Sequence, residues 1–84
     1  MRHVRVKCTD QHKNVAYIYW RDGWRCALAN GAPAGFSYAG VHGDEMALGF
    51  ALEDAASSSE VLAAVKKYGS ARVTYELILK GSLL

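Results

Sequence analysis

Residues 3–9, HVRVKCT, alternate without interruption: Val4, Val6 and Cys8 point one way, and His3, Arg5 and Lys7 the other. A period of two is that of a half-buried β-strand. The polar run DQHKN at residues 10–14 predicts a turn. Two further apolar runs, residues 14–20 and 24–29, flank Arg21, Asp22 and Gly23 and predict a β-hairpin.

The register of that hairpin decides what its aromatic residues do. A two-residue Asp22-Gly23 loop places Tyr17, Tyr19, Trp24, Cys26 and Leu28 on one face, leaving Ala16, Ile18 and Trp20 beside Arg25. A three-residue loop, with Gly23 in the left-handed bulge position, pairs Trp20 with Trp24. Ala16, Ile18, Trp20, Trp24, Cys26 and Leu28 then share one wholly apolar face. One residue of slip flips every side chain, so the apolar face favours the bulged turn. In this register the tryptophans are expected in the core. Tyr17, Tyr19 and Arg25 fall on the opposite face, joined by His3, Arg5 and Lys7 if the first strand pairs beside them.

Residues 30–35, NGAPAG, read as a loop. The segment FSYAGVHGDEMALGFALEDAA supports two readings. Met46, Leu48, Phe50 and Leu52 alternate with small residues, as in a strand. Asp44 is placed to cap a helix, Glu45 falls in its first turn, and the segment is rich in Ala, Leu, Met and Glu. Alanine and glycine are poor strand formers, so a helix over residues 44–55 is favoured. Ser57-Ser58-Ser59-Glu60 fits a capping box, and Val61, Leu62, Val65 and Tyr68 form one apolar stripe. Lys66 and Lys67 complement the C-terminal dipole, and Gly69 ends the helix. Residues 72–79, RVTYELIL, predict a last strand with Val73, Tyr75, Leu77 and Leu79 on one side.

The expected order is β-β-β-α-α-β, or β-β-β-β-β-α-β if the central segment is a hairpin. Both are α+β folds: a small antiparallel sheet of three to five strands with one or two helices packed on one face. Residues 1–84 are expected to form one domain, with residues 80–84 a loose tail. No repeat or linker interrupts them.

Composition changes this picture little, and charge changes it more. Apolar residues make up 51% of the 84 and run through every segment, which disfavours disorder. The longest nearly uncharged run, residues 26–41, is broken by Asn30, Gly31, Pro33 and Gly35, so no membrane span is expected. No apolar stretch follows the basic N-terminus as a signal peptide requires, so the protein is expected to be soluble and cytoplasmic, in a bacterial host cytosol. The net charge of +2 is unevenly placed. Residues 1–42 carry six basic and two acidic groups, net +4, and residues 43–84 carry four basic and six acidic, net −2. Such a dipole steers toward a charged partner, an acidic protein surface or nucleic acid.

Few residues suggest catalysis. Cys8 and Cys26 fall in strand patterns on the buried face, where a thiol is inert. With His12 and His42 they give C-x3-H-x13-C-x15-H, which lacks the close pairs of a structural zinc site, so no metal and no cofactor are expected. Of the possible bases His3, His12 and His42, His42 in VHGDE is the one with acidic neighbours, and a loop histidine so placed is far more often part of a solvated turn than an acid–base. Gly35, Gly40, Gly43 and Gly49 match neither GxxxxGK[ST] nor GxGxxG and read as turns and close packing.

The sharpest feature is therefore the basic–aromatic sheet face. Arg5, Lys7, Tyr17, Tyr19, Arg21 and Arg25 are the expected partner-binding residues, with His3 beside them. The set is similar in kind to the stacking platform of single-strand RNA binders, but the RNP1 pattern and the βαββαβ order are missing.

The segment GFSYAGVHGDEMALGFALEDA, a quarter of the chain, resembles a stretch of small accessory proteins of phages and mobile elements, anti-CRISPR inhibitors among them. In those a Gly/Tyr-rich run leads into an Asp- or Glu-started, Ala/Leu-rich helix. The resemblance implies a non-enzymatic inhibitor or adaptor that occupies a host protein or ribonucleoprotein complex, such as a CRISPR effector. It carries no residue role. The alternative is a single-stranded nucleic-acid-binding module using the same face. Neither reading fixes an oligomeric state.

Overall fold

The computed structural model describes residues 3–79. Five strands form one antiparallel sheet: β1 (Val4–Thr9), β2 (Val15–Trp20), β3 (Trp24–Leu28), β4 (Pro33–Ala34) and β5 (Thr74–Leu79), in the order β4-β3-β2-β1-β5. Between β4 and β5 run a 3-10 helix (Phe36–Ala39) and two α-helices, α1 (Glu45–Asp54) and α2 (Ser58–Tyr68). The α+β class and the helical reading of residues 44–55 hold. The expected tail at residues 80–84 lies outside the described residues.

The bulged hairpin forms. Trp20 pairs with Trp24, Ile18 with Cys26 and Ala16 with Leu28, while Asp22 (φ 53°) and Gly23 (φ 118°) take the left-handed turn positions. Aspartate tolerates that region better than most side chains, and glycine enters it freely. The β1–β2 turn is tied by the Asp10 carboxylate, which accepts from the backbone N–H of His12 (2.8 Å) and Asn14 (2.9 Å) and from the Asn14 side chain (3.0 Å). Those bonds, the Asn14 side chain foremost, hold the Asp10 carboxyl below its ordinary pKa. Lys13 is left with φ 66°.

The helices lie on one side of the sheet and bury Val4, Val6, Cys8, Ala16, Ile18 and Cys26 under Val41, Leu48, Leu52, Val61 and Val65. Asp44 caps α1 by accepting from the Ala47 N–H. Ser57 caps α2 by accepting from the Glu60 N–H (3.2 Å), and the Glu60 carboxylate reaches back to the Ala56 N–H, one residue before the cap.

Tyr75 clasps the far end of the helical layer. Its hydroxyl donates to the Ser70 carbonyl (3.2 Å) and lies 3.5 Å from that of Gly40, which itself accepts from the Ser70 N–H at 2.7 Å. An isolated bridge between Val41 and Gly69 completes the clasp. Gly40 has φ 83°, and a Cβ there would lie 2.4 Å from Val73 Cγ2. Burial, and next the neighbouring Cys8, pushes the Tyr75 phenol up to about 12.

Four expectations need correction. The tryptophans are not core: both are half-buried, meeting edge to face with centroids 5.8 Å apart. Trp24 packs against the buried cluster, and its indole Nε1 has no hydrogen-bond partner among the described residues. Residues 30–35 are not all loop, because Pro33 and Ala34 pair with Ala27 and Cys26 as a short edge strand. The last strand begins at Thr74, two residues later than expected, because Val73 still bonds back to Ser70 in the preceding turn. Gly49 is neither in a turn nor tightly packed, since it lies inside α1 with open space where a Cβ would project.

Candidate interaction surface

Alternation along the strands leaves the other side of the sheet without a helical cover. Its geometry follows from the register. Arg5 faces Ile78 on β5 and Tyr19 on β2, and Tyr19 in turn faces Arg25 on β3. The first row is thus Ile78–Arg5–Tyr19–Arg25, with a tyrosine flanked by two arginines. The second row is Glu76–Lys7–Tyr17–Ala27. Directly opposed residues in an antiparallel pair have Cβ atoms about 5 Å apart. Five of the six expected partner-binding residues therefore share one continuous face.

Arg5 and Arg25 are exposed, while Lys7, Tyr17 and Tyr19 are half-buried. The Arg5 guanidinium carbon lies 5.5 Å from the Tyr17 ring centre, a cation–π contact that pre-orients the arginine along the face. Arg25 is held differently. Its Nε donates to the Arg21 carbonyl, and its guanidinium lies 3.5 Å from the Asp22 carbonyl, so it both buttresses the turn and keeps its charge outward. Arg21 sits on the turn itself rather than on a strand. With His3, Arg5, Tyr17 and Tyr19 it lines an open cleft of about 460 Å³ that Ala27 and Gly31 also border.

Two contributions were missed in the sequence. Glu76 and Ile78 extend the face onto β5, and Glu76 tempers its positive charge beside Lys7. The alternation of residues 72–79 held the signal, but only the pairing of β5 with β1 gives it a place. Met46 and Phe50, exposed by 73% and 66%, form a second surface on α1. Leu48 and Leu52 point into the core at helical spacing, which turns residues two positions away outward.

Elsewhere the candidates for chemistry have structural partners. Cys8 and Cys26 are buried free thiols. Cys8 donates to the Val6 carbonyl, and burial, followed by the nearby Cys26, pushes it up to about 12. Burial raises Cys26 as well, against a backbone hydrogen bond from Ala39. His42 is exposed, and its neighbour Asp44 is committed to the α1 cap. Among the described residues no group of three or more His, Cys, Asp or Glu side chains is placed to hold a metal ion, and no helix is long and apolar enough to cross a membrane.

The surface presents charged donors at its edges, tyrosine faces and hydroxyls at its centre, and a sheet beneath. No family model matches the chain, and neither a curated protein nor a solved structure matches it.

Proposed function

We propose that this chain is a small non-enzymatic binding module whose uncovered sheet face docks on a protein surface, acting as an inhibitor or adaptor on a larger host assembly of the kind that phage and mobile-element proteins target. The observation that carries this reading is the Arg5–Tyr19–Arg25 row. Tyrosine and arginine are the residue types that most often anchor interfaces, and strands hold them with little entropy left to lose on binding. The mixed charge of the face, with Glu76 beside Lys7, suits a protein surface better than a uniform polyanion.

Affinity capture from bacterial lysate with the wild type and with Tyr19→Ala tests it. A defined multisubunit partner recovered by the first and lost with the second supports the reading. Recovery of RNA alone rejects it.

One observation favours a second reading. Arg5 over the Tyr17 ring is a ready stacking surface for unpaired bases. In that case affinity for single-stranded oligonucleotides falls steeply with the logarithm of salt concentration and is lost in Tyr17→Ala. Absence of binding at low salt removes it.

A further inference from the structure

The two edges of the sheet are guarded differently. On one edge, β4 is two residues long and begins with Pro33, which has no N–H to offer a further strand. On the other, β5 runs six residues in unbroken register with β1, without proline or lysine and with Glu76 as its one charge. The backbone bonds fix which way this edge points. The Asp10 N–H donates to the Asn14 carbonyl, continuing the ladder that pairs Val6 with Ile18, so the even-numbered residues of β1 bond to β2. Arg5, Lys7 and Thr9 therefore bond to Ile78, Glu76 and Thr74 on β5. That turns the N–H and C=O of Tyr75 and Leu77 away from β1, and no described residue bonds to them there. Their side chains are also incompletely covered. Both pack against the buried cluster but stay half-buried, whereas Val6 and Ile18 on the inner strands are fully buried.

We infer that β5 pairs antiparallel with β5 of a second copy of this chain, joining two five-stranded sheets about a twofold axis through Leu77. An extended strand is what such an edge accepts, and one register makes β5 complementary to itself. A twofold perpendicular to the sheet keeps each face on its own side, so it must pass through a residue rather than between two. Centred on Glu76, it opposes two carboxylates. Centred on Tyr75, it sets Leu77 opposite Val73, whose N–H is already given to the Ser70 carbonyl. Centred on Ile78, it carries Tyr75 past the end of β5. Centred on Leu77, it opposes Leu77 to its own counterpart as a hydrogen-bonded pair on the helix-covered side. On the uncovered side it sets Glu76 opposite Ile78, with no like charges directly opposed. The seam covers the open flanks of Tyr75 and Leu77. It leaves the Arg5–Tyr19–Arg25 row exposed, so the pair carries two such rows on one surface.

Because both copies use the same patch, the contact closes at two. Sedimentation equilibrium over rising concentration should show a mass that climbs toward two copies and stops there. Pairing bonds the Leu77 N–H, so its exchange with solvent deuterium should slow as concentration rises. The N–H groups of Glu76 and Ile78, bonded to β1 in either state, should change far less. Position 78 tests the register. Ile78→Glu repels Glu76 of the second copy and Ile78→Lys attracts it, and the twofold repeats each pair. The dimer dissociation constant should therefore be at least about tenfold higher for Ile78→Glu than for Ile78→Lys. Arg5 of the same chain faces position 78 and favours a carboxylate there, so a weaker dimer from Ile78→Glu is not a folding defect. Adding Glu76→Lys to Ile78→Glu should restore pairing. A wild type that stays monomeric to its solubility limit, a mass that passes two copies, or equal dissociation constants for the two variants overturns the inference.

Discussion

The hydroxyl of Tyr75 occupies the space that a side chain at Gly69 would need: a Cβ built there would lie 2.0 Å from that oxygen and 2.7 Å from the Val65 carbonyl. The φ of Gly69 is −93°, within reach of any residue, so close approach and not backbone freedom demands glycine here. Gly69→Ala should cost about 2–3 kcal/mol, through displacement of the ring and loss of its bond to Ser70. Tyr75→Phe should cost about 1 kcal/mol. Combined with Gly69→Ala it should cost less than the sum, a coupling that chemical denaturation of the two single variants and the double variant measures.

At the other end of the sheet the tryptophans should prove unequal. A fully buried Trp→Ala change costs about 3–5 kcal/mol, but both rings are half-buried. Trp24 packs on the buried cluster, whereas Trp20 meets Trp24 edge to face. Trp24→Ala should therefore cost about 2–3 kcal/mol and Trp20→Ala about 1–2 kcal/mol. Equilibrium urea unfolding of both variants checks the order.

Gly49 lies inside α1 with nothing within 4 Å of an added Cβ. Gly49→Ala should stabilise the fold by about 0.5–1 kcal/mol, by restricting the unfolded chain. An unchanged or lower thermal midpoint would contradict this placement.

Lys13 holds φ 66° in the β1–β2 turn, where an L-residue is strained. Lys13→Gly should add about 0.5–1 kcal/mol, provided that the Asp10 bonds persist. Asp10→Ala should reverse that gain by untying the turn, and the same melts read both variants.

Alkali should unfold the protein through three groups, of which Cys26 is raised by burial alongside the two largest shifts. Cys8, ordinarily at 9.0, and Tyr75, ordinarily at 10.0, are each pushed up to about 12. Both hold their protons more tightly when folded, so the stability they confer is complete below pH 9 and is lost as the pH rises toward 12. Thermal midpoints should start to fall near pH 9 in the wild type. In Cys8→Ala the fall should be shallower, because only the raised Cys26 and Tyr75 groups remain to titrate, and it should begin from a lower plateau.

The hairpin register was legible because only the bulged turn collects Ala16, Ile18, Cys26 and Leu28 on one face, and Gly23 supplies the turn's special backbone. The caps were legible because Asp44 and Ser57 act within a few residues of themselves. The short strand β4 was not: Pro33 and Ala34 sit in a loop-like run, and their pairing depends on Cys26 and Ala27 being there to meet them. The burial of the tryptophans was misjudged because a shared apolar face does not reveal where the helical cover stops. That Arg5, Lys7, Tyr17, Tyr19 and Arg25 share one face followed from alternation alone. The rows they form did not, since Arg5 meets Tyr19 only once β1 and β2 have chosen their register.

The pairing of β1 with β5 sets how the molecule meets a pulling force. Val4 faces Leu79 at one end of the ladder and Thr9 faces Thr74 at the other. The chain on either side of the domain is therefore attached at the same end of the ladder. Tension along it parts the pairs in succession from Val4 and Leu79, instead of shearing all six at once. Each step breaks only the bonds of one pair, so a motor that unravels chains from an end would open this sheet like a zip fastener.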